Sequence, residues 1–293
     1  MSLQSQLLLV SFAVAACGVA LAESATAQAS IRVVDPQSRV RDLPSSGLID
    51  FAPRVTSSTL QLLPAKPDFR IFTAYDKSGK GRWNPAWKFD FSGVCWSSSR
   101  AGTVIGDRHV VCASHYITKQ NPEGFAYAAG ATLTFTGIDG NPVRRRIVAR
   151  GRATGRYRHD VGCFLLDRDL PPEIRRYRLL RLDARVTLHG AQAIRTRFHG
   201  KEASVVTLNH PSGDKRRPDP EYPFLDYRVP KNRSWKGKTL QRGDSGHPVF
   251  IFFEGEPCLV STHSLPAMGP SYLSPDVIDS VLRTFRRLES RSR

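Results

Sequence analysis

The sequence predicts a mostly β chain, with short strands closed into an antiparallel barrel or sandwich and one helix at the C-terminal end. Three observations carry this reading. From about residue 90 the chain breaks into short apolar runs separated by turn residues; one pair of runs is joined by an Asp-Gly turn; and only the end of the chain follows a helical spacing. An apolar fraction of 40% with 9% aromatics excludes intrinsic disorder as the main state, because such a chain can bury enough surface to offset its ordering entropy.

Taken in order, residues 7–22 form an apolar stretch broken only by Ser11 and Gly18, and small residues then offer cleavage after Ala22, Ala27 or Ala29. This is the pattern of a secretory signal peptide, although the first basic residue is only Arg32. The expected location is therefore secreted or periplasmic. Val14-Ala15-Ala16-Cys17 also resembles a bacterial lipoprotein box, which would anchor the chain through a lipid on Cys17. Residues 30–88, punctuated by Pro36, Pro44, Pro53, Pro64 and Pro67, read as an N-terminal arm or pro-segment, and 89–293 as the folded domain.

Within that domain the β-like runs are 102–105, 109–113, 132–136, 143–149, 162–166, 203–208, 247–253 and 258–263. Ile138-Asp139-Gly140-Asn141 between the third and fourth is a hairpin signal. Strands this short and closely spaced favour an antiparallel barrel or sandwich over a parallel sheet with crossover helices. Ser274-Pro275-Asp276 starts a helix whose apolar positions are Val277, Ile278, Val281, Leu282, Phe285 and Leu288.

The chain carries 43 Lys+Arg against 26 Asp+Glu, a net charge of +17, which suggests either an anionic partner or a solvated basic surface. The basic residues fall in scattered clusters, such as Arg144, Arg145, Arg146, Arg150 and Arg152, with no zinc-finger spacing or RNA-binding aromatic signature. Anionic surfaces are thus expected partners, and a specific nucleic acid is not. Cys95, Cys112, Cys163 and Cys258 would remain after leader removal; in an exported chain they permit two disulfides in three connectivities, with buried thiols as the alternative.

The sharpest chemical signal is Gly243-Asp244-Ser245-Gly246-His247-Pro248. Glycines flanking a serine let the backbone turn tightly, exposing the hydroxyl while peptide N–H groups point beside it. A hydroxyl near its free pKa is a poor nucleophile, so the reading needs a base and a group that orients the base. His115 ends the apolar run His109-Val110-Val111-Cys112-Ala113, and Asp160 heads Val161-Gly162-Cys163-Phe164-Leu165-Leu166, where its carboxylate would be shielded. His159, beside Asp160, is the rival base.

Over roughly residues 90 to 290 these motifs, in the order His115, Asp160, Ser245, resemble the trypsin/chymotrypsin-like serine peptidases, in character closest to exported bacterial members. The resemblance implies a double antiparallel β-barrel with a C-terminal α-helix. It implies Ser245 as nucleophile, His115 as general base, Asp160 as its orienting carboxylate, and the N–H groups of Gly243 and Ser245 as oxyanion hole. No metal or organic cofactor is required. The chain departs from the family where His247 replaces the usual Gly and Tyr116 replaces the Cys beside the catalytic His. No Ile-Val-Gly-Gly occurs. The nearest candidate for a freed N-terminus that would pair with Asp244 is Ile71, in Arg70-Ile71-Phe72-Thr73; otherwise Asp244 is satisfied internally.

For specificity, Thr239 stands where a trypsin carries the Asp that selects basic side chains. His263 and Ser264 align with the strand along the substrate pocket, His263 at the position of the pocket His of glutamyl endopeptidases, which implies a preference for Glu or Asp before the scissile bond. The expectation is a secreted, monomeric serine endopeptidase acting on protein or peptide. The alternative is a catalytically inactive basic binding protein on the same scaffold, recognising anionic surfaces.

Overall fold

A computed structural model of the chain describes residues 31–34, 41–43, 69–96, 101–117, 130–153, 159–182, 188, 190–209, 226–228, 241, 243–253, 255–264 and 270–292. The expected leader, with Cys17, and Thr239 of the expected pocket lie outside them. The first strands are β1 (Ile31–Val34), β2 (Arg41–Leu43), β3 (Phe72–Tyr75), β4 (Gly81–Trp83), β5 (Gly102–Val104), β6 (His109–Ala113), β7 (Thr132–Thr136) and β8 (Pro142–Arg152). They are followed by β9 (Val161–Leu166), β10 (Arg178–Leu182), β11 (Gln192–Arg197), β12 (Glu202–Asn209), β13 (Asp226–Arg228), β14 (Pro248–Phe253), β15 (Glu256–His263), β16 (Pro270–Tyr272) and helix α1 (Pro275–Ser292).

Among the described residues the fold is mostly β, with two large sheets and a single, C-terminal α-helix. One sheet has the order β5-β6-β9-β8-β7; the other runs β13-β12-β11-β14-β15-β10-β1-β2, with β16 also on β15. Among the described residues, pairing is antiparallel except between β10 and β15, which run parallel. Each sheet wraps its own apolar cluster, Val110, Leu133, Phe135, Ile147 and Phe164 in the first and Ala193, Val206, Val249, Ile251 and Val260 in the second. A third cluster lies between the two sheets and under the helix.

Strand alternation feeds both sides at once. Val161, Cys163 and Leu165 of β9 enter the shared cluster while Phe164 and Leu166 face the first sheet's interior, and β14 divides Phe250 and Phe252 from Val249, Ile251 and Phe253 in the same way. Strands buried on both faces read as unbroken apolar runs, which is why these two were legible in the sequence. Val277, Ile278, Val281, Phe285 and Leu288 of α1 complete the shared cluster; each buried side chain of this kind stabilises by roughly 1.5–3 kcal/mol.

Two expectations change. The segment assigned to an arm is structured from residue 69 onward: Ile71, Phe72 and Trp87 sit in the shared core, and β1 pairs with β10. A boundary at 88/89 therefore cuts through packed structure. Cys95, Cys112, Cys163 and Cys258 form no disulfide; all are buried thiols, and burial pushes Cys112 and Cys163 up and Cys258 up to about 12. Among the described residues, no helix is long and apolar enough to cross a membrane.

Candidate active site

The register of β6 against β9 brings the first two candidate residues together. Ala113 pairs with Val161, so the residues just outside the ladder meet: the Ser114 amide donates to the Asp160 carbonyl at 3.1 Å. Beyond β6 the chain tightens into a 3₁₀ turn, Ser114–Tyr116, which leaves His115 partly exposed. The Asp160 carboxylate is saturated. Oδ1 accepts from the His115 amide and the Ser114 hydroxyl, both at 2.8 Å, and Oδ2 from His115 Nδ1 and the Ser264 hydroxyl, both at 2.6 Å. A carboxylate facing Nδ1 places the proton there, which makes Nε2 the basic nitrogen of the neutral ring. Burial pushes the Asp160 carboxyl up, but the bonds from His115, Ser264 and Ser114 outweigh it and hold it below its ordinary value.

Ser245 arrives from the other sheet, on the loop before β14. Gly243 and Gly246 on either side of it have φ of +101° and +80°, and a Cβ on Gly246 would lie 2.4 Å from the Ala101 carbonyl oxygen. Only glycine allows this approach between the sheets. Ser245 Oγ donates to the Ser264 carbonyl at 3.2 Å, so Ser264 links it to Asp160. The Tyr116 hydroxyl donates to the Ser245 carbonyl at 3.4 Å, and the Tyr116 ring lies 4.3 Å from that of His115. Among the described residues no acceptor takes the N–H of Gly243 or of Ser245, whereas Asp244, Gly246 and His247 all donate to carbonyls of the loop or of β15.

The hydroxyl of Ser264, a residue expected along the substrate pocket, sits on the Asp160 carboxylate. Ser114 has no signal in the sequence beyond a hydroxyl next to His115. His159 turns the other way, its Nε2 3.7 Å from Asp276 at the start of α1, and is not the base beside Asp160.

Asp244, only 1% exposed, is satisfied internally. Its Oδ1 accepts from the amides of Phe198 (2.9 Å) and His199 (3.4 Å) and its Oδ2 from the Gln241 amide (2.9 Å), with Arg197 Nε 3.7 Å away. Ile71 is buried, and its amide donates to the Lys201 carbonyl at 2.7 Å. The alternative in which a freed Ile71 pairs with Asp244 is not the arrangement present.

His263 is 1% exposed, and its Nε2 faces the Thr196 carbonyl at 3.0 Å. Burial and then the charge of Arg195 push it down to about 3, so at neutral pH it is an uncharged ring, not the cation that would select an acidic side chain. His247 is also held far down by burial, then by His263, Lys201 and His199, and burial lowers His159. The sign follows. These rings fold neutral but bind protons when unfolded, so their stabilisation is complete above the unfolded value of about 6.5 and is lost as pH falls toward the folded values. Each proton taken up on unfolding contributes about 1.4 kcal/mol per pH unit. Unfolding free energy measured in denaturant between pH 7 and 5, above the carboxylate range, should fall with a slope exceeding one proton; a flat profile would contradict the buried neutral rings.

Among the described residues, no group of three or more His, Cys, Asp or Glu side chains is placed to hold a metal ion. No family model matches the chain, and no curated protein matches it.

Proposed function

We propose that the chain is an exported serine endopeptidase of the trypsin/chymotrypsin-like type, hydrolysing peptide bonds through an acyl-enzyme. The observation that carries this reading is the hydrogen-bonded path from His115 Nδ1 through the Asp160 carboxylate and Ser264 to Ser245 Oγ, built from both sheets. In the proposed reaction the Ser245 hydroxyl turns from the Ser264 carbonyl to His115 Nε2, loses its proton there and attacks the scissile carbonyl. The oxyanion is received by the N–H groups of Gly243 and Ser245, each donor worth roughly 3–4 kcal/mol of barrier. His115 returns the proton to the leaving amine, Asp160 stabilises the imidazolium, and water then deacylates Ser245 by the same route.

A preference for Glu or Asp before the scissile bond rests on the +17 charge alone, since the buried, neutral His263 does not supply a cation. The helix α1 exposes Arg283, Arg286, Arg287 and Arg291, which supports adhesion to anionic surfaces as a property beside catalysis. The decisive experiment is labelling of purified protein with a fluorophosphonate. The wild type should label at one site and Ser245→Ala not at all; a folded wild type that does not label would favour the inactive binding protein.

A further inference from the structure

We propose that Lys201 is a positioning residue for the oxyanion hole: it holds the 198–201 turn so that the turn's amides brace Asp244 between the two donors of the hole. The inference rests on the reading of Ser245 as nucleophile. Three independent contacts of Lys201 converge on this turn. Its ammonium lies 3.6 Å from the centre of the Phe198 ring and 5.1 Å from that of Tyr75 on β3, an arrangement in which the ring faces attract the cation. Its amide closes the turn on the Phe198 carbonyl at 3.0 Å, and its carbonyl accepts the Ile71 amide, which ties the turn to the core. Phe198 is the residue whose amide makes one of the two shortest bonds to Asp244.

The backbone marks the same residue. Lys201 has φ of +49°, the one positive value at a non-glycine among the described residues, directly after Gly200 at +76°. A lysine gains nothing locally from this conformation, and such strain persists where surrounding contacts over-determine it. The path then runs from the aromatic clamp on Lys201 to the Phe198 and His199 amides, to Asp244, and to the N–H groups of Gly243 and Ser245 on either side of it. Burial pushes the Lys201 ammonium down to about 8, so the clamp loses its charge in mildly alkaline solution. The titratable and charged groups around it are Tyr75 on β3, Cys95, His199 on the turn itself, Asp244 and His247 on the nucleophile loop, and Arg197 and Glu202 on the segments the turn joins.

The test is the concentration dependence of fluorophosphonate labelling, which separates the maximal labelling rate from probe binding. Lys201→Ala should lower the maximal rate about tenfold or more with half-saturation unchanged, because what is disturbed is the alignment of donors for the transition state. Lys201→Arg, which keeps a cation for the rings, should stay within about threefold of wild type. Lys201→Gly accepts the positive φ without strain and should be at least as stable as Lys201→Ala, yet label as slowly. The wild-type rate should fall above about pH 8, and the fall should be absent in Lys201→Arg. Wild-type rates in both Lys201→Ala and Lys201→Gly would overturn the role, and full recovery in Lys201→Gly alone would show that the backbone and not the ammonium matters. A wild type that does not label overturns the nucleophile reading and this role with it.

Discussion

Replacing Asp160 by Asn should lower the acylation rate by about 10⁴-fold while leaving a folded protein. The carboxylate accepts four hydrogen bonds, from the His115 amide, the Ser114 hydroxyl, His115 Nδ1 and the Ser264 hydroxyl. An asparagine has one oxygen and one NH₂ group to offer to the same four. If the NH₂ replaces Oδ2, it faces Nδ1 and forces the proton onto Nε2, so the ring can no longer accept the Ser245 proton. If it replaces Oδ1, it meets the His115 amide donor, and Ser114 is the only group there able to turn and accept. The first placement keeps the amide bond and should prevail, at the cost of the useful tautomer. The check is the labelling rate beside a thermal melt. A loss below about tenfold with an unchanged melt would mean that Asp160 does not set the tautomer.

Most of the framework was legible where burial is two-sided or strictly periodic. The runs 109–113 and 132–136 coincide with β6 and β7, and the helix beginning at Pro275 buries five of the six apolar positions expected of it, Leu282 being only half-buried. The hairpin turn forms as expected, with Gly140 at φ +84° and Asp139 Oδ1 accepting the Asn141 amide. β11 was invisible for a physical reason: Arg195 and Arg197 are almost fully buried along it, and two arginines in six residues hide a buried strand from any apolar pattern. What keeps Arg197 inside is charge brought from elsewhere, Asp244 and Glu202, each 3.7 Å away.

The candidate site divides along the same line. His115, Asp160 and Ser245 could be picked out because each sits at a strand end or a glycine turn. The hydroxyls of Ser114 and Ser264 could not be assigned to Asp160, since that contact depends on how two sheets dock. The thiols show the opposite failure. An even number of cysteines suggested cross-links, but β6, β9 and β15 carry three of them into interiors where packing and not bonding decides their place.

The buried Asp244 gives the other large effect, and it tests how the nucleophile loop is held. In Asp244→Asn either the amides of Phe198 and His199 or the amide of Gln241 would meet an NH₂ group, donor against donor, at a site 1% exposed to solvent. Arg197 would keep only Glu202 as a counter-charge. Removing one partner of a buried charge pair costs about 3–5 kcal/mol, and displacing one oxyanion donor costs about 10²–10³ in rate. The variant should therefore melt well below wild type and acylate at least about 10³-fold more slowly. Adding Arg197→Gln separates the two losses. Without the guanidinium the charge left at the site is Glu202, whose side chain is 20% exposed and reaches water, so the double variant should recover much of the stability. It should recover none of the rate, because the Phe198 and Gln241 amides still lack a carboxylate to hold and Gly243 and Ser245 remain unaligned. If rate and stability return together, Asp244 acts on the site only by keeping the protein folded; if Asp244→Asn alone acylates within about tenfold of wild type, the hole is not braced through this carboxylate.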